Sequence, residues 1–253
     1  MKKIKITYLC TVLIILFSGI MLGGFYENMY CGVDFESGMY PYIINGMIFI
    51  CFVLIEKNSP FSYFAQDNLT KLVRISSRRK ALVYDIIRIF ITVLFLECCE
   101  CAGILVGSII YGRTFVWERF ASYFMINYVI KLLLILIQFL LEKSISYNFS
   151  FLLVYAVFLC GLYSGEDIYQ RMLYIDDSGK RKIYEMINRF NIANYTSLLR
   201  IKQMGGCVYK DMFIISALIF IVIVLLFIYI KKVDLLKRSE EHTSELQSHH
   251  DLV

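Results

Sequence analysis

Three ionisable side chains lie inside stretches of the chain that are otherwise apolar. Glu97 and Glu100 fall within the run Leu82–Tyr111, and Lys131 falls among the leucines and isoleucines of Phe120–Leu141. An isolated charge in an apolar interior costs a few kcal/mol, so such residues face other polar groups of the protein. They are therefore the first candidates for a functional site.

Glu97 and Lys131 are expected at similar depth. Counting about 1.5 Å per residue from Tyr111 and Phe120, where the two runs approach each other, their depths differ by only about 5 Å. Neighbouring antiparallel helices would bring them together as a buried ion pair. A second arrangement stays open, in which Lys131 extends to the membrane surface and Glu97 faces a subunit interface.

The cysteines do not predict a metal site. On a helix, Cys98 and Cys101 share a face while Cys99 points elsewhere, so the three cannot converge on one ion. Cys31 and Cys207 both fall in predicted loops on one side, and a disulfide between them stays open. We expect neither a metal nor another cofactor.

The last sixteen residues, Arg238–Val253, are polar and charged and have no apolar period. They resemble the conceptual translation of a common sequencing-library adapter. We therefore expect residues 1–237 to form a single native domain and residues 238–253 to be a non-native tail. The tail holds all three histidines of the chain, His242, His249 and His250.

Catalytic motifs are missing from residues 1–237. Without histidine, Ser-His hydrolysis and zinc sites built on histidine are excluded. The chain also lacks the GxxxxGK[ST] sequence of a nucleotide-binding P-loop. We expect a protein that is not an enzyme.

Composition defines the elements that must position these residues. Of 253 residues, 58% are hydrophobic and only 19% charged, and the mean hydropathy is +0.64. Soluble domains are less apolar and carry more charge, so the sequence predicts an all-α, polytopic membrane protein. It has six candidate transmembrane helices: Ile6–Phe25, Tyr42–Ile55, Leu82–Tyr111, Phe120–Leu141, Phe149–Tyr163 and Met212–Ile230.

Basic residues predict the orientation. Lysines precede the first run and follow the sixth, and a basic cluster precedes the third, whereas the loop after the first run has acidic residues only. Since basic loops stay inside, both termini are expected in the cytoplasm. A long outer loop then separates the fifth and sixth runs. Its residues Ile183, Met186, Ile187 and Phe190 predict an amphipathic helix.

This layout resembles the permease subunit of ABC-2 type transporters, and more narrowly the bacteriocin- or lantibiotic-export and immunity permeases of low-GC Gram-positive bacteria. Two short motifs carry the resemblance. LVRISSRRK at 72–80 is similar to the R-x-x-S-R segment before the third span, and IKKVDLL at 230–236 is similar to the closing K-K-x-D segment. The chain departs from the family at 191–194, where NIAN has no proline. The substrate subgroup therefore stays open.

The resemblance implies a permease of the cell membrane that moves a peptide, lipid-like or drug-like substrate. It implies two partners besides the bilayer, an ATP-binding cassette ATPase subunit and a second permease copy or paralogue, and no nucleic acid. The ATPase would dock on a coupling helix near residues 64–75, with Arg74, Ser77 and Arg78 in the segment that contacts it. The same basic segment also suits anionic lipid. A secondary carrier and a non-transporting assembly or sensor protein are the alternatives.

The non-native tail gives a direct test. Resequencing the locus across the Lys237 codon should show different residues after position 237, because an adapter sequence is not part of the gene. Genomic codons that continue into RSEEHTSELQSHHDLV would contradict the assignment.

Overall fold

A computed structural model describes residues 2–25, 31–36, 39–58, 78–175 and 177–250 of the chain. All regular secondary structure in these ranges is helical. Eight α-helices and one 3-10 helix follow one another: α1 Lys2–Phe25, α2 Met39–Asn58, α3 Arg78–Ile110, α4 Trp117–Leu141, α5 Tyr147–Leu173, α6 Ser178–Phe190, the 3-10 helix Ile192–Thr196, α7 Leu198–Gln203 and α8 Val208–His250.

Four of these helices are long and apolar enough to cross a membrane: Arg79–Ile110, Trp117–Leu141, Tyr147–Leu173 and Val208–Lys231. They cover the last four predicted spans. The first two predicted spans coincide with shorter apolar helices, Tyr8–Gly24 and Met39–Leu54. At 1.5 Å per residue these apolar stretches are only about 25 Å long, against a bilayer core of about 30 Å. An all-helical protein with four candidate membrane-spanning helices is thus confirmed, and the count of six spans stays a prediction.

Helix α4 is the centre of the bundle, with α2, α3, α5 and α8 all in contact with it. In its most apolar stretch, 61% of the residues are buried, compared with 28% in the corresponding stretches of α5 and α8. A helix that is hydrophobic all round suits a position surrounded by other helices. The side chains that α4 presents therefore decide how the bundle is held together.

Helices α1 and α3 pack with their backbones in contact. Each carries two glycines four residues apart, Gly19 and Gly23 on α1 and Gly103 and Gly107 on α3. A Cβ atom at Gly23 would lie 2.1 Å from the carbonyl oxygen of Ile104. Small residues allow this close approach in membranes, where apolar side chains gain nothing by leaving lipid.

The two ends of the bundle differ. The basic end, as we name it, contains the start of α3 at Arg79, the turn at Lys143 and the end of the apolar part of α8 at Lys231. Arg79 and Lys231 line one cleft there, and the Tyr229 hydroxyl donates a hydrogen bond to the Lys143 carbonyl oxygen. The opposite end, which we call the far end, is formed by residues 31–36, α6, the 3-10 helix and α7.

Helix α6 forms where the apolar period predicts a helix. The Asp177 side chain caps its start by accepting a hydrogen bond of 2.8 Å from the backbone N–H of Gly179, as an aspartate at this position commonly does. Asn188 faces the bundle and is buried, whereas the apolar residues of the predicted face are all exposed: Ile183, Met186, Ile187 and Phe190.

The predicted tail falls at the end of α8, whose backbone continues through Arg238 to His250. The side chains beyond Lys231 lie outside the described residues. The assignment of residues 238–253 as non-native therefore stays a prediction.

The glycine contact predicts the cost of added methyl groups. Gly23→Ala and Gly107→Ala should each lower the free energy of unfolding by about 1–3 kcal/mol, because the new Cβ meets rigid backbone of the other helix. The matched control is Ala102→Leu, which adds more volume next to Gly103 at an exposed position. Thermal unfolding in detergent should show a lower midpoint for both glycine variants and little change for the control. Equal midpoints for all three would contradict this packing.

Candidate functional site

The structure brings Glu97 and Lys131 together. The Lys131 Nζ atom lies 2.9 Å from Glu97 Oε2, and it also contacts a carboxylate oxygen of Glu100. Glu97 and Glu100 are three residues apart on α3, so they share the face of the helix that meets α4. All three side chains are completely buried. The pair expected from the sequence is therefore part of a three-residue charge cluster.

Uncharged donors bind the carboxylate oxygens that Lys131 leaves free. The Asn127 Nδ2 group donates to Glu97 Oε1 at 2.9 Å and to Glu100 Oε1 at 3.3 Å. The Tyr123 hydroxyl donates to Glu100 Oε1 at 3.1 Å. A buried ion pair is tolerable only when its remaining polar atoms are hydrogen-bonded, and these two side chains meet that condition.

Periodicity explains why α4 can supply all of these groups. Tyr123, Asn127 and Lys131 are spaced four residues apart, so they lie on one face of the helix. On the other side of the ammonium group, the Phe52 ring of α2 lies 4.3 Å from Lys131 Nζ, measured to the ring centroid. The cluster thus joins α2, α3 and α4 at one depth in the bundle.

This cluster is suited to a structural role. Two carboxylates face one ammonium group, and none of the three is accessible to solvent in the chain. An amine held by two carboxylates is a poor nucleophile. Fixing the position of α3 against α4 is what the arrangement does best.

A second polar network lies at the far end, and sequence reasoning missed it. The guanidinium of Arg200 on α7 is completely buried. It lies over the rings of Phe35 and Tyr42, at 4.6 and 4.9 Å from their centroids, and Nη1 donates to Asn194 Oδ1 at 2.8 Å. Burial lowers the pKa of Arg200 below its ordinary value. The network attaches the segment 31–36 to the rest of the far end.

Asparagines continue this network onto α5 and α6. The Asn194 Nδ2 group donates to Asn188 Oδ1 at 2.8 Å, Asn188 Nδ2 donates to the Gly165 carbonyl at 3.2 Å, and Asn191 Nδ2 donates to the Gly161 carbonyl. In the sequence, Asn191 and Asn194 stand out only because the segment 191–194 lacks the proline of the family that the chain resembles. Asn188, Asn191 and Asn194 follow one another at intervals of three residues, and this regular spacing is the signal that could have identified them.

The residues expected to contact an ATPase cannot be placed. Arg74 and Ser77, together with the coupling region at residues 64–75, lie outside the described residues. Arg78 is the first residue of α3, and its side chain lies outside the description as well.

All eight cysteines are free thiols in the structure. Cys31 is buried and Cys207 is exposed, and no disulfide forms among the eight cysteines, all of which lie in the described ranges. Cys98 is exposed while Cys101 is buried, so the two sulfurs lie in different environments. In the described part of the chain no group of three or more His, Cys, Asp or Glu residues is arranged to hold a metal ion.

In comparisons with known proteins, no family model, no curated protein and no solved structure matches the chain significantly. Functional inference therefore depends on the residues and geometry described above.

The charge cluster predicts a specific pattern of stability. Lys131→Met should lower the free energy of unfolding by about 3–5 kcal/mol, because two buried carboxylates lose their counter-ion. Adding Glu97→Gln should recover only part of this loss, since Glu100 stays charged. The triple variant that also carries Glu100→Gln should recover most of it.

Detergent stability measured over these variants, together with Glu97→Gln and Glu100→Gln alone, isolates the coupling between the three residues. The control is Lys202→Met at an exposed position, which should stay within about 0.5 kcal/mol of the unchanged protein. Strictly additive effects of the single substitutions would show that the three side chains do not interact.

Proposed function

We propose that the chain is the membrane-spanning permease subunit of an ABC-2 type transporter, with six spans and both termini in the cytoplasm. It lies in the cell membrane of a bacterium. It is not catalytic itself but is driven by a separate ATPase subunit, and it pairs with a second permease copy or paralogue. Its substrate is a peptide or a lipid-like or drug-like molecule. The low-GC Gram-positive bacteria are the expected source.

One observation carries the proposal: α2 ends and α3 begins at the basic end of the bundle. At the end of α2, the Val53 carbonyl accepts a hydrogen bond of 3.4 Å from the Tyr147 hydroxyl at the start of α5. At the start of α3, Arg79 lines a cleft with Lys231. The end of α2 and the start of α3 are therefore both on the side where basic residues favour the cytoplasm.

The length of α3 supports a mechanical connection from this end into the bundle. Its 33 residues span about 50 Å, which exceeds the apolar core of a bilayer by about 20 Å. Glu97 and Glu100 attach its middle to Lys131 of α4. A displacement at the start of α3 would thus be transmitted to the central helix, which is the coupling that a permease without its own nucleotide site requires.

The basic segment can be tested directly. Arg74→Glu with Arg78→Glu should reduce co-purification with the ATPase encoded beside the gene by about tenfold or more, because charge reversal at an interface costs several kcal/mol. Membrane insertion should be unchanged, and stimulation of ATP hydrolysis should be lost.

The matched control reverses two exposed charges at the far end, Lys180→Glu with Lys182→Glu, and should leave co-purification intact. If no ATPase co-purifies with the unchanged chain, or if the Arg74 and Arg78 variant binds it equally well, the proposed function is wrong.

A further inference from the structure

A cleft of about 390 Å³ opens at the basic end between the start of α3 and α8. Its volume lies in the range of ligand-binding pockets. Of the described residues that line it, two are basic, three are apolar and none is acidic. They are Arg79, Val224, Phe227, Ile228 and Lys231.

The apolar part of the cleft lies at membrane depth. Val224, Phe227 and Ile228 belong to the stretch of α8 that is long and apolar enough to span a bilayer, Val208–Lys231. Ile228 is 57% exposed, and Phe227 is 37% exposed. Exposed side chains on such a stretch meet lipid chains once the helix spans a bilayer.

The two cations stand at the end of this apolar surface. Val224 and Lys231 are seven residues apart, so the surface extends about 10 Å along α8 from the backbone of Lys231. The Arg79 guanidinium offers the flat pair of donors that suits a phosphate, and Lys231 adds a second positive charge. The neighbouring Lys80 raises the local positive potential further.

We propose that this cleft binds an anionic glycerophospholipid. Its phosphate group lies between Arg79 and Lys231, and an acyl chain lies along Val224, Phe227 and Ile228. Basic pockets between membrane helices commonly bind lipid headgroups in this way. The inference requires only that the chain spans a membrane, and it does not depend on the proposed transport function.

Fluorescence quenching tests the site. The full chain with Ile228→Trp and Trp117→Phe, which leave a single tryptophan at the cleft, is reconstituted in vesicles of brominated phosphatidylglycerol mixed with unbrominated phosphatidylcholine, and in the reverse mixture. The two quenching curves give the relative affinity for the two lipids at position 228. We expect about a 25-fold preference for phosphatidylglycerol, and Arg79→Gln or Lys231→Gln should each reduce it about fivefold.

Two controls make the result specific. Lys80→Gln removes the same charge next to Arg79 but outside the cleft, and it should leave most of the preference in place. A tryptophan introduced by Leu218→Trp, at an exposed position about 120° around α8 from Val224, should show little preference. Equal quenching by both lipids at position 228 would overturn the proposal. Absence of quenching by either lipid would also overturn it, because protein would then fill the cleft.

Discussion

The ammonium group of Lys131, held between the carboxylates of Glu97 and Glu100, is the interaction on which the rest of the bundle depends. Lipid solvates apolar side chains as well as protein does, so apolar contacts alone select no particular arrangement of membrane helices. Charges at this depth do select one, because separating them leaves each group unpaired in an apolar medium. The donors Tyr123 and Asn127 complete the cluster, and together these groups fix α3 against the central helix.

The glycine contact with α1 complements this constraint on the same helix. At Gly103 and Gly107 the backbone of α3 meets the backbone of α1, while Glu97 and Glu100 face α4 one to two turns earlier. Helix α3 is thus held from two sides along its far half, and its start extends toward the basic end. Under the proposed function, this construction transmits movement from the segment before α3 to the centre of the bundle.

The features that could be predicted from the sequence are those that follow from fixed helix geometry. The rise of an α-helix placed Glu97 and Lys131 at similar depth, and the structure joins them. Glu100 was left out of the predicted ion pair because one lysine was matched with one carboxylate. Its spacing nevertheless puts it on the same face of α3 as Glu97. Asn127 carries no charge, so it was not predicted as a site residue although it lies in an apolar run. Arg200 was beyond reach, since its partners come from distant parts of the chain and only the fold unites them.

Carbodiimide cross-linking tests the central claim most directly, because this reagent joins a carboxylate and an amine only when they are in contact. A membrane-permeant carbodiimide is applied to the folded protein, and the digest is analysed by mass spectrometry. The account predicts a peptide pair joined through Lys131 and either Glu97 or Glu100, and its loss in Lys131→Arg, which keeps the charge but removes the amine. The account would be contradicted if Lys131 in the folded protein instead reacted with a water-soluble acylating reagent as readily as the exposed Lys180.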